Sequence, residues 1–168
     1  APLAAAPEFA LGADFEHIQT AVKALAKLTD GGVHVSVNSS SSVFNKLEGV
    51  TLHSFTGKHP AGNVGVQIHH ISPIRKGETV WTVSLLMLAA IGKLFNTGKY
   101  DVRRKVAVTG PKAEGAAYVE TYPGVAMKDL KDFYASAENL RFVSGDALTG
   151  TNVGAEGFLG FFDNQVTI

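Results

Sequence analysis

Residues 51–71 read TLHSFTGKHPAGNVGVQIHHI, and this stretch decides the expected fold. The runs 51–55 and 66–71 each predict a strand, because β-branched and other apolar residues recur in short segments bounded by turn residues. Between them, Gly57, Gly62, Gly65 and Pro60 predict a loop. Glycine lets the backbone approach a ligand closely, so the loop fits a cofactor or substrate site. It also fits a tight crossover turn with no ligand.

Outward from this loop, helical and strand patterns alternate. Upstream, the sequence predicts a helix from Asp14, a plausible N-cap, to about Leu28, followed by a strand over 33–37. Downstream, it predicts a helix over 84–97 that ends at Gly98. The apolar spacing of that helix predicts one buried face, formed by Leu85, Leu88, Ile91 and Phe95.

The rest of the chain continues the alternation. We expect strands over 104–110 and 118–122, a short helix over 127–137, and extended segments over 140–143 and 158–162. This order predicts an α/β layered fold with an at least partly parallel sheet. We expect one domain over 1–168, entered by an Ala/Pro-rich connection at 1–13. Both ends look cut, since there is no initiator Met and 165–168 is strand-like, so we expect a fragment of a longer protein.

Composition excludes several classes of function. Fifteen Lys and Arg balance 15 Asp and Glu, which gives no electrostatic footprint for nucleic acid. There are no cysteines, so disulfides, thiolate nucleophiles and cysteine-ligated iron–sulfur or zinc sites are excluded. The longest apolar stretch, 80–92, is shorter than the roughly 20 residues of a membrane span. We therefore expect no direct membrane span.

Four histidines, at positions 53, 59, 69 and 70, form a cluster in the sequence that could indicate a metal site. On a strand, however, His69 and His70 point to opposite faces, and no acidic residue lies within the cluster as a third ligand. We therefore expect no bound metal. Trp81, the one tryptophan, fits either a ring-stacking role or a core position beside the 84–97 helix.

Short pieces along the whole chain carry a family resemblance. His59-Pro60-Ala61-Gly62 is followed by Gly65, by residues 68–73 and by the run TVWTV at 79–83. Further pieces lie at 2–5, 90–98, 106–111, 144–145, 150, 159–160 and 164–165. In this order and combination, they resemble the middle domain of the A subunit of the sodium-translocating NADH:quinone oxidoreductase of bacterial membranes.

The resemblance implies a function for the larger assembly. That enzyme oxidises NADH, reduces ubiquinone and exports Na⁺. Its A subunit sits peripherally on the cytoplasmic face of the bacterial inner membrane and contacts the other subunits. Flavins and iron belong to those other subunits, so the resemblance implies no cofactor on this piece, although ubiquinone can be bound in the intact complex.

The domain is also similar to the flavin-binding fold found in the NADH subunit of complex I and in the C subunit of the Rnf complex. It departs from that pattern, because Asn63-Val64 follows the loop glycine and the Gly-rich phosphate loop is missing. Three roles follow: a scaffold, a quinone-proximal domain without its own redox centre, and a flavin-binding electron-transfer domain. The candidate quinone or ancestral flavin site comprises Gly57, His59, Pro60, Gly62, Gly65, His69 and Trp81.

Overall fold

The computed structural model describes residues 3, 5–38, 43–115, 117–135 and 139–168. The chain divides into two compact units, one formed by Ala13–Tyr100 and the other by Ala1–Gly12 together with Asp101–Ile168. The sequence alone predicts a single domain over 1–168. Each unit has its own sheet, so each is described by itself.

The helices and strands come in groups along the chain and do not alternate one by one as the sequence predicted. The α-helices are α1 (Pro7–Leu11), α2 (Ile18–Leu25), α3 (Val64–Ile71) and α4 (Leu85–Thr97). The strands are β1 (His34–Val37), β2 (Thr51–Ser54), β3 (Arg104–Thr109), β4 (Ala117–Thr121), β5 (Val143–Ser144), β6 (Thr151–Asn152) and β7 (Gln165–Thr167). Three 3₁₀ helices cover Gly12–His17, Val43–Lys46 and Met127–Phe133. The fold is mixed α/β.

Helix α4 confirms the prediction for 84–97. The Ser84 side chain caps it by accepting a hydrogen bond of 3.3 Å from the Met87 backbone N–H. Gly98 ends it in the left-handed conformation, with φ of 70°, and donates its N–H to the Leu94 carbonyl. Both signals are local, which explains why the sequence alone placed the helix within a residue.

The buried face of α4 differs from the predicted one. Leu88 is buried as expected, together with Ala89 and Gly92, which pack the helix against α2. Leu85 and Ile91 are half-buried, whereas Phe95 is 65% exposed. The prediction for Phe95 is therefore wrong. The small residues Ala89 and Gly92 let α2 approach closely, and this rotates the contact away from Phe95.

The helix that the sequence predicts from Asp14 starts later, at Ile18, and is α2. Asp14 lies in the 3₁₀ helix Gly12–His17 and its carboxylate pairs with the Lys93 ammonium at 3.1 Å, so it is not an N-cap. The α-helix begins at Ile18 and ends at Leu25, and Leu28 is 81% exposed. An ion pair with α4 holds the acidic side chain that the sequence assigned to capping.

The prediction of a strand over 66–71 is also wrong, because these residues belong to helix α3. The half-buried positions are Val66, Gln67, Ile68 and Ile71, and His69 and His70 are exposed. Two adjacent exposed positions between half-buried ones fit a helix better than the alternation of a strand. Tertiary context overrides the strand preference of so short a run. Strands β1 and β2 are present as expected and pair in parallel, with His34 opposite Thr51 and Val37 opposite Ser54.

The unit containing 101–168 is built on a five-stranded sheet in the order β4-β3-β7-β5-β6. Strands β3 and β7 are parallel, and the other pairs are antiparallel, so the expected partly parallel character is confirmed. The strand β7 near the chain end lies in the middle of this sheet. One core is formed by the buried residues Val106, Val108, Met127, Leu130, Phe142, Leu159, Val166 and Ile168.

Three other predictions in this unit need correction. The helix expected over 127–137 is a 3₁₀ helix, Met127–Phe133, and residues 136–137 lie outside the described part. Of the extended segments, 140–143 contributes only Val143 to a strand, and 158–162 contributes an isolated bridge from Phe158 to Ala126. The sheet is instead completed by β7, which the strand-like pattern of 165–168 had indicated.

Candidate functional site

A cavity lies at the carboxyl ends of the parallel strands β1 and β2. Its volume is ≈ 240 Å³. In parallel α/β sheets this edge is where ligands bind, because the loops that leave the strands there enclose a crevice. The lining residues come from the ends of both strands and from the loop that follows β2: Ser36, Val37, Asn38, Phe55, Thr56, Gly57, Ala61, Gly62 and Gln67.

The loop after β2 is folded by its own backbone. The Ala61 N–H donates to the Lys58 carbonyl and the Asn63 N–H donates to the Pro60 carbonyl, at 3.0 and 2.8 Å. The peptide between His59 and Pro60 is cis. Gly57 has a φ of 133°, a conformation that side chains disfavour, so glycine is required at that position.

Gln67 joins the loop to helix α3. Its side-chain amide donates to the Ala61 carbonyl at 3.1 Å, and its backbone N–H donates to the Asn63 carbonyl at 3.1 Å. The cavity wall therefore includes a glutamine amide in a fixed position. This amide has two N–H groups, and the bond to Ala61 uses one of them.

The described lining residues carry no charge at neutral pH. They include the hydroxyl residues Ser36 and Thr56, the amide residues Asn38 and Gln67, and the aromatic residue Phe55. Such a surface suits a small neutral group with hydrogen-bond acceptors. It supplies neither a general acid or base nor a cation to neutralise a phosphate.

The structure brings together only part of the predicted site. Gly57 and Gly62 line the cavity, while His59 and Pro60 lie in the same loop with exposed side chains. Gly65 is exposed on α3, and His69 is exposed near the end of that helix, with its ring 5.9 Å from that of His70. The histidines therefore do not point to opposite faces of a strand.

Trp81 lies apart from this cavity in a segment without regular secondary structure. Its side chain is 91% exposed, so the interpretation of Trp81 as a core residue is wrong. The segment places its neighbours Val80 and Val83 at the surface as well.

Sequence reasoning missed a pair of histidines on the two strands. The Nδ1 of His34 and the Nε2 of His53 are 2.9 Å apart, and the rings stack at 5.1 Å. Ser36 lies opposite His53 in the parallel pairing, so the side chains of His34 and His53 lie on the same face of the sheet. That register could not be read from the sequence. Across the described ranges, no three His, Asp or Glu side chains come together in a metal-binding group.

Comparison with known proteins covers both units. Residues 1–100 match the family model described as the NqrA second alpha/beta domain, which is more than half of the chain. The chain belongs to the NqrA family. Residues 105–155 match a second model, the NQRA C-terminal domain, and the break between the two matches lies beside the structural division after Tyr100. The first match also takes in 1–12, which the structure places in the other unit. The family resemblance seen in the sequence is thus confirmed.

Relatives in the NqrA family are similar along almost the whole length of the chain. The A subunit of the Na(+)-translocating NADH-quinone reductase of Serratia proteamaculans is 37% identical over 99% of the chain and 38% of its own length. The proteins of the same name from Marinomonas sp. and Rhodopirellula baltica are each 36% identical over 99% of the chain. The chain spans 38% and 37% of the lengths of those two relatives. Among the described residues, no helix is long and apolar enough to cross a membrane.

Proposed function

We propose that this chain is part of the A subunit of a Na⁺-translocating NADH:ubiquinone reductase, which couples NADH oxidation and ubiquinone reduction to Na⁺ export. The observation that carries the proposal is similarity to relatives of that name over 99% of the chain. In this proposal the subunit lies peripherally on the cytoplasmic face of the bacterial inner membrane. Its partners are the other subunits of the complex.

Within that complex, the chain acts as a scaffold without a redox centre of its own. Its cavity of ≈ 240 Å³ is smaller than the roughly 300–1,000 Å³ typical of ligand pockets. Flavin nucleotides carry phosphate, which proteins hold with basic side chains or arrays of backbone N–H groups. No basic side chain is among the described lining residues. Flavins and iron are accordingly assigned to other subunits.

Contact with quinone is the second candidate function, and the chemistry of the cavity wall favours it over flavin binding. A quinone head group is a neutral ring whose two carbonyl oxygens accept hydrogen bonds. Phe55 and Gln67 both line the cavity and match those two needs.

The position of the cavity also supports a relationship to the flavin-binding fold found in the NADH subunit of complex I. The sequence predicted a Gly-rich loop at the carboxyl end of a strand. In the structure such a loop leaves the carboxyl end of β2, which pairs in parallel with β1. We interpret the cavity as an ancestral flavin position that has lost its phosphate-binding elements. The flavin-binding alternative therefore ranks third.

If quinone contacts this cavity, filling the cavity should lower quinone reduction in the assembled enzyme, whereas a scaffold role alone predicts no change. A Cβ atom at Gly62 would meet no atom within 4 Å, and its φ is not in the left-handed region, so Gly62→Val leaves the fold intact. We expect a loss of about tenfold in NADH-dependent quinone reduction, equivalent to roughly 1.4 kcal/mol. The measurement is the steady-state rate at varied quinone concentration.

Gly65→Ala is the matched control, because Gly65 is equally open but does not line the cavity. His59→Ala tests the exposed part of the loop, where we expect a smaller decrease. If all three variants assemble and run at wild-type rates, quinone contact at this cavity is refuted and the loop is only a crossover turn.

We further expect the purified chain to carry neither flavin nor metal. The physical reasons are the uncharged lining of the cavity and the absence of cysteine. Absorption spectroscopy and elemental analysis test this directly, with the buffer after dialysis as the blank. A visible flavin band, or zinc at about one equivalent per chain, would show that the scaffold assignment is incorrect.

A further inference from the structure

The unit containing 101–168 has a groove of its own, which the proposed function does not use. Its volume is ≈ 570 Å³, within the roughly 300–1,000 Å³ typical of ligand-binding clefts. Strand β4 and the turn after it form one wall, and the start of the 3₁₀ helix Met127–Phe133 forms another. Apolar side chains of Val119, Val125, Ala126 and Leu130 line it.

Two exposed aromatic side chains stand at this groove. Tyr122 is 57% exposed and Phe158 is 60% exposed, and both line the cavity. The two backbone segments that carry them are joined, because the Gly124 N–H donates to the Leu159 carbonyl at 3.1 Å and the Leu159 N–H donates to the Val125 carbonyl at 2.9 Å. Aromatic rings attract cations through the partial negative charge of the ring face.

The charged side chains among the described lining residues of the groove are acidic. Its described lining includes the carboxyl groups of Glu120 and Asp129 but no Lys or Arg. The Glu120 carboxylate already forms an ion pair with the Arg103 guanidinium at 3.2 Å. The same guanidinium also binds the Asp101 carboxylate at 2.7 Å. Asp129 is therefore the carboxylate that an incoming cation would meet at the apolar wall.

Strand β4 adds a third feature. It is the first strand in the order β4-β3-β7-β5-β6, and in the described residues it pairs with β3 alone. An edge strand presents backbone N–H and C=O groups that an added extended segment can pair with. The open edge thus runs along the wall of a groove that is apolar, aromatic and acidic.

We propose that this groove binds an extended segment of a partner protein that carries a Lys or Arg side chain. The segment pairs along the outer edge of β4. The aliphatic stem of the Lys or Arg side chain covers the apolar wall. The cationic group of that side chain lies at the rings of Tyr122 and Phe158 and against the Asp129 carboxylate. Charge complementarity selects the basic side chain, and the open strand edge selects an extended polypeptide.

The test uses the 168-residue chain labelled with ¹⁵N and a synthetic acetylated Val-Arg-Val amide as the probe. We expect the peptide to shift the backbone signals of Tyr122, Gly124 and Asp129. The analogue with citrulline, which has the same shape without the charge, should bind about fivefold more weakly, as an exposed ion pair and cation–ring contact together predict.

Paired carboxylate variants separate a specific contact from general acidity. Asp129→Asn should weaken binding of the arginine peptide by about twofold, because only the ion pair is removed and the cation–ring contact remains. The other backbone signals of the chain should be unchanged. Asp132→Asn, on the same 3₁₀ helix but outside the groove lining, should leave its affinity unaltered. Equal binding of the citrulline peptide, equal weakening by both variants, shifts confined to other residues, or no shifts at millimolar peptide would each overturn the proposal.

Discussion

Replacing Gly92 by alanine is expected to destabilise the unit formed by 13–100 by about 3 kcal/mol. Gly92 is buried in the middle of α4, and an added Cβ would lie 1.9 Å from the carbonyl oxygen of His17. The clash is with backbone, so it cannot be relieved by rotating a side chain. The gain in helix propensity from Gly to Ala, roughly 1 kcal/mol, is too small to compensate.

Urea unfolding followed by circular dichroism measures this loss. Gly65→Ala is again the control, because Gly65 is also helical but has no atom within 4 Å of an added Cβ. That variant should be neutral or more stable by up to about 1 kcal/mol. Equal midpoints for Gly92→Ala and the unmodified chain would mean that α2 and α4 do not pack as closely as described.

Leu88→Asp should destabilise the same unit by several kcal/mol, on the order of 4, enough to prevent folding in a marginally stable domain. Leu88 is 6% exposed and lies on the α4 face that contacts α2. The substitution removes buried apolar area and leaves a carboxylate without a partner in an apolar contact.

Phe95→Asp on the same helix provides the contrast, since Phe95 is 65% exposed. It should change the thermal midpoint by only a few degrees, as expected for a change of roughly 0.5 kcal/mol at the surface. The apolar spacing of the sequence treats the two positions alike, whereas the structure separates them. Equal losses for both variants would contradict the observed face of α4.

The sequence predicted the elements whose signals are local. Helix α4 has a serine cap, a glycine stop and helical spacing within one segment, and it lies within one residue of the prediction. Its buried face was not predictable, because the face depends on where α2 packs. The pairing of Asp14 with Lys93 joins positions far apart in the chain, and no local pattern reveals it.

The sequence singled out a loop that lines a cavity, but it identified only part of the cavity lining. The glycines of the 57–65 loop indicated a cavity at the end of a strand, and Gly57 and Gly62 do line one. Phe55, Ser36 and Gln67 were missed, because their roles depend on the parallel pairing of β1 with β2 and on residues 66–71 being helical. The exposure of Trp81 was missed because the spacing of a lone aromatic residue does not distinguish core from surface.

The proposal that this chain belongs to a working Na⁺-translocating NADH:ubiquinone reductase is tested most directly by co-purification. An affinity tag is placed on the subunit that contains the chain, and the complex is purified from detergent-solubilised membranes of a strain that lacks the untagged copy. We predict that the enzyme activity, Na⁺-stimulated and NADH-dependent quinone reduction, is retained on the affinity resin and is recovered in the fraction that contains the tagged subunit. Full activity in the unbound fraction, with none eluting with the tag, would contradict the account.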